Sequence, residues 1–291
     1  MSILLDKSNR VLIQGVTGQM GQFFVEDARK YGTNMVAGVS PGRAGTKVSD
    51  VPVFANVATA VKETAADTAM VFVPPLAVLG ATIEAIESGC RLVVATADEM
   101  PVLDAIEVRA AARANGAVFV GPNTPGLISP GKAKMGFMPS FCYLQGHVGV
   151  ISRSGSLSYE GSKRITQAGI GQTTVVGIGG DPVKGTTAAE ALALFHKDPD
   201  TKAILYLGEI GGSEETFVAE YASSTGAKPV AALIVGKTAP AGKKMGHAAA
   251  LIGSKAEGHA AKQKMLRDAG VFVADSLGEV VAAMRAALAR A

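Results

Sequence analysis

The sequence predicts an α/β protein built from two doubly wound parallel sheets, one following the other. Three observations carry this prediction. Short apolar runs alternate with longer helix-period stretches along the chain, the pattern of parallel strands joined by crossover helices. The 291 residues are enough for about two domains of ordinary size. Turn formers crowd Gly121-Pro122-Asn123-Thr124-Pro125-Gly126 and Ser129-Pro130-Gly131 too densely for a regular element and interrupt the alternation there. The expected divisions are a first domain over 1–128, a linker over 129–145 and a second domain over 146–291.

In the first domain, Val11-Leu12-Ile13 reads as a buried strand that enters a glycine turn and then a helix to about Tyr31. Further strands are expected at Met35–Val39, Ala69–Val73, Leu92–Ala95 and Val118–Val120, with helices over Ala77–Ser88 and Val102–Asn115. The second domain restarts with a strand at Val148–Ile151. A helix follows, opening at Ser152-Arg153-Ser154-Gly155-Ser156 and running to about Ala168. Later strands are expected at Thr174–Ile178, Ala203–Leu207, Val230–Val235 and Val271–Val273, and Leu277–Arg290 reads as a packed amphipathic helix. Most of these strands end in glycine-bearing loops, and in an open parallel sheet such loops gather at the carboxyl edge, where ligands bind.

Composition narrows the function. The 28 basic and 25 acidic residues leave a formal charge of only +3 without long runs, and five Tyr, ten Phe and no Trp offer few stacking platforms, so nucleic acid is not the expected partner. No apolar run approaches the roughly 20 residues of a membrane span. Two cysteines make neither a disulfide framework nor a metal knuckle, and the N-terminus lacks a signal-peptide layout. A reducing, cytoplasmic compartment is expected.

The Gly15-x-x-Gly18-x-x-Gly21 turn lets main chain approach a diphosphate, while the helix start behind it offers N–H groups. A nicotinamide-binding domain places Asp or Glu at the end of its second strand. Here that stretch reads Gly38-Val39-Ser40-Pro41-Gly42-Arg43. A cation in that place fits a ligand with an extra phosphate near its ribose, coenzyme A or NADP rather than NAD. The plain alternative is a solvated loop cation.

His247 lies in Gly242-Lys243-Lys244-Met245-Gly246-His247-Ala248-Ala249-Ala250. Small neighbours let a ligand approach, the lysines attract phosphate, and imidazole is a nucleophile able to hold a phosphoryl group covalently. The helix start at Ser154, Gly155 and Ser156 is a candidate anion cradle, or simply a helix cap. Glu209, at a strand end, can orient an imidazole through its N–H or can face water. His147, His196 and His259, at a strand start, a helix end and a helix start, read as structural. The nucleotide loop Gly-x-x-x-x-Gly-Lys-Ser/Thr does not occur; in Gly180-Asp181-Pro182-Val183-Lys184-Gly185-Thr186-Thr187 a threonine stands where the lysine belongs. A nucleotide that phosphorylates His247 is therefore expected on another polypeptide.

On these motifs the chain resembles, from end to end, the α subunits of the succinate–CoA ligase (succinyl-CoA synthetase) family. The likeness rests on Gly15-x-Thr17-Gly18-x-x-Gly21, Gly121-Pro122-Asn123, Ser152 through Glu160, Gly177-Ile178-Gly179-Gly180-Asp181-Pro182, Gly208-Glu209-Ile210-Gly211-Gly212 and Met245-Gly246-His247-Ala248. The resemblance implies a Rossmann-like coenzyme A-binding domain followed by a flavodoxin-like ligase domain. It implies that Gly15, Thr17, Gly18, Gln19 and Met20 contact coenzyme A, with Val39, Pro41 and Arg43, Val73 and Pro74, Thr96, Ala97 and Asp98, and Asn123. It makes His247 the phosphorylated residue, Glu209 its stabiliser, Ser154, Gly155 and Ser156 the phosphate cradle, and Tyr159 part of the acid site. No metal ligands are implied in this chain. ATP or GTP with Mg2+ is held by a separate ATP-grasp β subunit, in an αβ or (αβ)2 assembly in the cytoplasm or, in a eukaryote, the mitochondrial matrix.

The implied reaction is reversible and belongs to the tricarboxylic acid cycle. Phosphate passes from the nucleotide through His247 to succinate, and coenzyme A displaces it. Five positions depart from the family pattern: Thr124 for Cys, Arg43 for Lys, Ala97-Asp98 for Thr-Glu, and Ala249 for Gly. Synthetases for malate and citrate share the architecture, so malate or another small dicarboxylate is the alternative acid. An NADP-dependent reductase or a coenzyme A-binding regulatory protein are readings of a different class.

Overall fold

Alternating strands and helices appear in two separate units in a computed structural model, which describes residues 2–240 and 242–291. One unit comprises Leu4–Met138 with Val183–Thr186; the other comprises, of the described residues, 2–3, Pro139–Pro182 and those from Thr187 to Ala291.

The first unit runs β1 (Val11–Gln14), α1 (Gln19–Tyr31), β2 (Met35–Val39), β3 (Lys47–Val48), β4 (Val51–Phe54), α2 (Val57–Thr64), β5 (Thr68–Val71), α3 (Val78–Glu87), β6 (Leu92–Ala95), α4 (Val102–Ala114), β7 (Val118–Val120), β8 (Gly126–Ser129) and β9 (Ala133–Gly136). Its main sheet has the order β3-β4-β2-β1-β5-β6-β7, parallel except for the β3–β4 pair. β1 is buried along its whole length because helices cover both faces of the sheet, and that is why it reads as an unbroken apolar run rather than an alternation. It pairs with β2 on one side and β5 on the other. The winding reverses between them, so a crevice opens beyond the carboxyl end of β1, at Gly15.

The second unit runs β10 (Gln145–Ser152), α5 (Gly155–Gln167), β11 (Gln172–Gly177), α6 (Ala188–Lys197), β12 (Ala203–Glu209), α7 (Glu214–Ala222), β13 (Val230–Val235), α8 (His259–Asp268), β14 (Phe272–Ala274) and α9 (Val280–Leu288). β11, β10, β12, β13 and β14 lie side by side in that order, all parallel. This is the flavodoxin-like winding, whose reversal falls between its first and third strands. Here those are β10 and β12, and their carboxyl ends carry Arg153, Ser154 and Glu209.

Two stretches differ from the sequence expectation. The turn formers near 121–131 and the segment 129–145 hold regular structure: β8 and β9 form an antiparallel hairpin with Ser129 opposite Ala133. Pro130, Gly131 and Lys132 make its turn, Leu127, Ile128 and Met135 are buried, and the Thr33 hydroxyl donates to the Lys134 carbonyl and accepts from the Lys134 N–H, each at 2.9 Å. A further short helical turn spans Ser140–Cys142. β12 extends past Leu207, so Glu209 is the last residue of a strand rather than part of a loop. Among the described residues no helix is long and apolar enough to cross a membrane.

Candidate active site

Glu209 and His247 meet at the reversal point of the second unit. The imidazole Nδ1 lies 2.9 Å from Glu209 Oε2 and 3.0 Å from Oε1, so the ring straddles the carboxylate. An ionised carboxylate can only accept; Nδ1 therefore carries the hydrogen, and in the neutral ring the lone pair is on Nε2. The Glu209 side chain is 7% exposed and that of His247 29%. The acid is thus held inside while the ring remains within reach of a ligand.

Main-chain bonds fold the His247 loop tightly. Met245 N–H donates to Ala250 O at 2.9 Å, Ala250 N–H to His247 O at 3.2 Å, and Ala249 N–H to Gly180 O at 3.1 Å. Gly180 is the floor against which the ring lies. A Cβ at that position would come within 2.6 Å of His247 Cγ and 2.8 Å of Nδ1, closer than side chains pack. No residue but glycine leaves the ring its present place.

The expected cradle is a true helix start. Ser154 is the N-cap of α5, its side chain accepting from Leu157 N–H at 3.5 Å, and its Oγ lies 3.4 Å from Ser156 Oγ. The amides of Gly155 and Ser156 open the helix and have no acceptor within it. Capping by Ser154 and a role as an anion cradle are compatible. Tyr159, one turn on, is half-buried, and burial followed by the Cys142 thiol pushes its phenol up to about 12. It therefore stays a neutral hydrogen-bond donor at physiological pH. Thr187 is not free to build a nucleotide loop: it caps α6 in a reciprocal box with Glu190.

Beneath Glu209 lies a set of buried charges that sequence reasoning passed over. Arg153 Nη1 donates to the carbonyls of Glu209 (3.1 Å) and Gly211 (2.8 Å) and to Glu215 Oε1 (3.1 Å). Lys262 Nζ donates to the same carbonyls at 3.0 and 2.6 Å and to Glu215 Oε2. Tyr206 Oη donates to Glu215 Oε1 at 2.9 Å. Burial lowers the Lys262 pKa against the opposing pull of Glu215. For Arg153, burial disfavours the charge, but Glu215, Tyr206 and Glu209 together raise its pKa. Arg153 sits inside the Ser152–Ser156 motif and was the one visible signal; Glu215 and Lys262 look like ordinary helix-surface charges.

In the first unit the residues expected to contact coenzyme A lie at the end of a parallel strand or just past one. Gly15, Thr17, Gly18, Gln19 and Met20 follow β1; Val39 ends β2, with Pro41 and Arg43 beyond it. Val73 and Pro74 follow β5, Thr96, Ala97 and Asp98 follow β6, and Asn123 follows β7. Gly15 has φ +79°, and a Cβ there would lie 2.0 Å from the Phe72 carbonyl, so the turn requires glycine. Thr17 Oγ1 meets Ser40 Oγ at 2.7 Å, tying the glycine turn to the end of β2. Asn123 Nδ2 donates to Asp98 Oδ1 at 2.8 Å. The start of α1 suits a phosphate: its N-cap is Gly18, no side chain caps it, and no acid lies in its first turn. Arg43 is exposed in the turn beyond β2.

A family model described as "CoA binding domain" matches residues 6–98, and one described as "CoA-ligase" matches residues 151–286. The succinate–CoA ligase [ADP-forming] subunit alpha of Aquifex aeolicus is 46% identical over 97% of this chain and 94% of its own length. The malate–CoA ligase subunit alpha of Methylorubrum extorquens is 42% identical over the whole of both chains. Among solved structures, ATP citrate lyase from Methanothrix soehngenii superposes on 99% of this chain with a TM-score of 0.91 at 23% identity, a likeness of fold. This chain spans about half (51%) of that protein's length. The protein belongs to the family of CoA-ligase α subunits that includes those of succinate–CoA ligase and malate–CoA ligase.

Proposed function

We propose that the chain is the α subunit of a nucleoside-diphosphate-forming succinate–CoA ligase working through a phosphohistidine at His247. The observation that carries this reading is the Glu209–His247 pair, which leaves the lone pair of the ring on Nε2. Nε2 attacks the terminal phosphorus of a nucleoside triphosphate; the bond to the leaving diphosphate breaks, and the positive charge gained by the ring is shared with Glu209 through Nδ1–H. A carboxylate oxygen of succinate then takes the phosphoryl group, giving succinyl phosphate and restoring the neutral imidazole. The coenzyme A thiolate attacks the acyl carbon, and phosphate leaves. His247 supplies nucleophilic catalysis and Glu209 electrostatic support. The α5 start at Ser154, Gly155 and Ser156 cradles the phosphoryl group, and Tyr159 donates to the acid.

Coenzyme A is held by the first unit. The uncapped start of α1 takes its diphosphate, and Arg43 takes the phosphate on its ribose. ATP or GTP, with the Mg2+ that screens its phosphate charge, is held by an ATP-grasp β subunit, since Thr187 and Glu190 spend on helix capping the one loop here that approaches a nucleotide motif. Malate is the alternative acid, favoured by the likeness to a malate–CoA ligase subunit. The test is co-expression with the partner subunit, followed by coenzyme A consumption with a panel of carboxylic acids. Succinate should give the highest kcat/KM; a higher value for malate would shift the assignment, and no consumption with any acid would end it.

A further inference from the structure

Arg153, Tyr206, Glu215 and Lys262 come from different elements: the turn after β10, β12, α7 and α8. The side chains of Arg153 and Glu215 are completely buried and that of Lys262 is 2% exposed. Burying ions in this way adds little to stability, because well-packed apolar side chains of the same volume usually serve as well. Where the bonds go is therefore informative. Beyond Glu215, both cations converge on the carbonyls of Glu209 and Gly211, the two that bracket Ile210 at the end of β12. With those carbonyls drawn inward, the Glu209 side chain is presented to His247. Arg153 also brings its Nη2 to 3.4 Å from Glu209 Oε1, within ion-pair distance but without a hydrogen bond. Because Ser154 follows Arg153 directly, one residue links the cradle at the start of α5 to the acid beneath the imidazole.

We propose that Arg153, Lys262 and Glu215 are positioning residues that clamp the end of β12, so that Glu209 holds the His247 proton on Nδ1 and leaves Nε2 as the nucleophile. The inference rests on His247 being the phosphoryl acceptor, but its structural content concerns the tautomer and needs no phosphate. Glu215 gathers the two cations, and Tyr206 holds Glu215 in turn. When Glu209 is ionised, the carboxylates of Glu215 and Glu209 balance the two cations while the ring is neutral.

The experiment is long-range 1H–15N NMR of the full chain labelled with 15N-histidine. The chain has 4 histidines, so His147 and His196 serve as internal references. The wild-type His247 ring should appear as the Nδ1–H tautomer. Lys262→Met, folded by the reference signals, should lower the ratio of Nδ1–H to Nε2–H by about tenfold or more, as expected when a charge-assisted hydrogen bond is misaligned. If the single variant does not fold, Lys262→Met with Glu215→Gln removes one charge of each sign and is read in the same way. A role confined to stability would leave the His247 shifts of a folded variant unchanged, and that result would overturn the proposal. Since no phosphoryl donor is present, the outcome is independent of whether His247 is phosphorylated.

Discussion

Replacing Gly180 by Ala isolates the placement of the His247 ring, because it leaves the chemistry of His247 and Glu209 unchanged and alters only the surface against which the ring lies. The new Cβ would sit 2.6 Å from His247 Cγ and 2.8 Å from Nδ1. Carbon atoms rest about 3.5–4.0 Å apart, so the ring must retreat by roughly 1 Å. A shift of that size upsets the 2.9–3.0 Å contacts between Nδ1 and the Glu209 oxygens, because a hydrogen bond holds only over a narrow range of distance and angle. Hydrogen bonds to charged groups are worth about 1.5–3 kcal/mol, and a reacting group displaced by about 1 Å loses on the order of 10² in rate. The backbone at Gly180 does not demand glycine, since its φ is outside the left-handed region, so the fold should survive with a melting temperature within a few degrees of wild type. The assay is the single-turnover rate of His247 phosphorylation in the complex with the β subunit, alongside coenzyme A affinity. The rate should fall by roughly 10² with coenzyme A affinity unchanged. A rate within about threefold of wild type would show that the Gly180 contact does not place the ring, and the geometric account of the site would fail.

Glu209→Gln keeps the shape of the acid and removes its charge; the phosphorylation rate should fall by about 10², and an unchanged rate would make Glu209 a bystander. Arg43→Ala should weaken coenzyme A binding by roughly 10- to 100-fold, while 3'-dephospho-coenzyme A binds both proteins alike; equal losses by calorimetry would place the guanidinium elsewhere. Tyr159 carries a pH signature. Its folded value of about 12 lies above the ordinary 10.0, so the folded state holds the proton more tightly, and this contribution is complete below about pH 10 and lost as pH rises toward 12. Thermal melts should show wild type losing stability relative to Tyr159→Phe across that window; parallel curves would contradict the burial of the phenol.

The parts of the fold that were legible in the sequence are those where one short stretch determines the outcome. Val11-Leu12-Ile13 is apolar throughout because β1 is covered on both faces, and Gly15 after it is required because the Phe72 carbonyl leaves no room there for a side chain. Glu209 and His247 could each be picked out from the small residues around them, but their contact depends on how far β12 runs and on where the 242–250 loop folds back. Gly180 was visible only as part of a motif, since its role is a tertiary contact with a ring far along the chain. Lys262 and Glu215 were opaque for a different reason: charged residues on helices are normally solvated, and nothing local marks a lysine that turns inward to donate to two carbonyls or the glutamate that accepts from it. The β8–β9 hairpin was hidden because Pro130 and Gly131 are as common in linkers as in tight turns.

The central claim is that this chain carries the phosphoryl group on His247. The direct measurement is mass spectrometry of the α chain after brief incubation with the β subunit, Mg2+ and ATP or GTP, under alkaline conditions that preserve phosphohistidine. The account predicts one acid-labile phosphate, on His247, that is discharged on adding succinate and coenzyme A and is absent from His247→Ala, which should still bind coenzyme A but form no thioester. Phosphate on another residue, or thioester formation by His247→Ala at a rate near that of wild type, would contradict it.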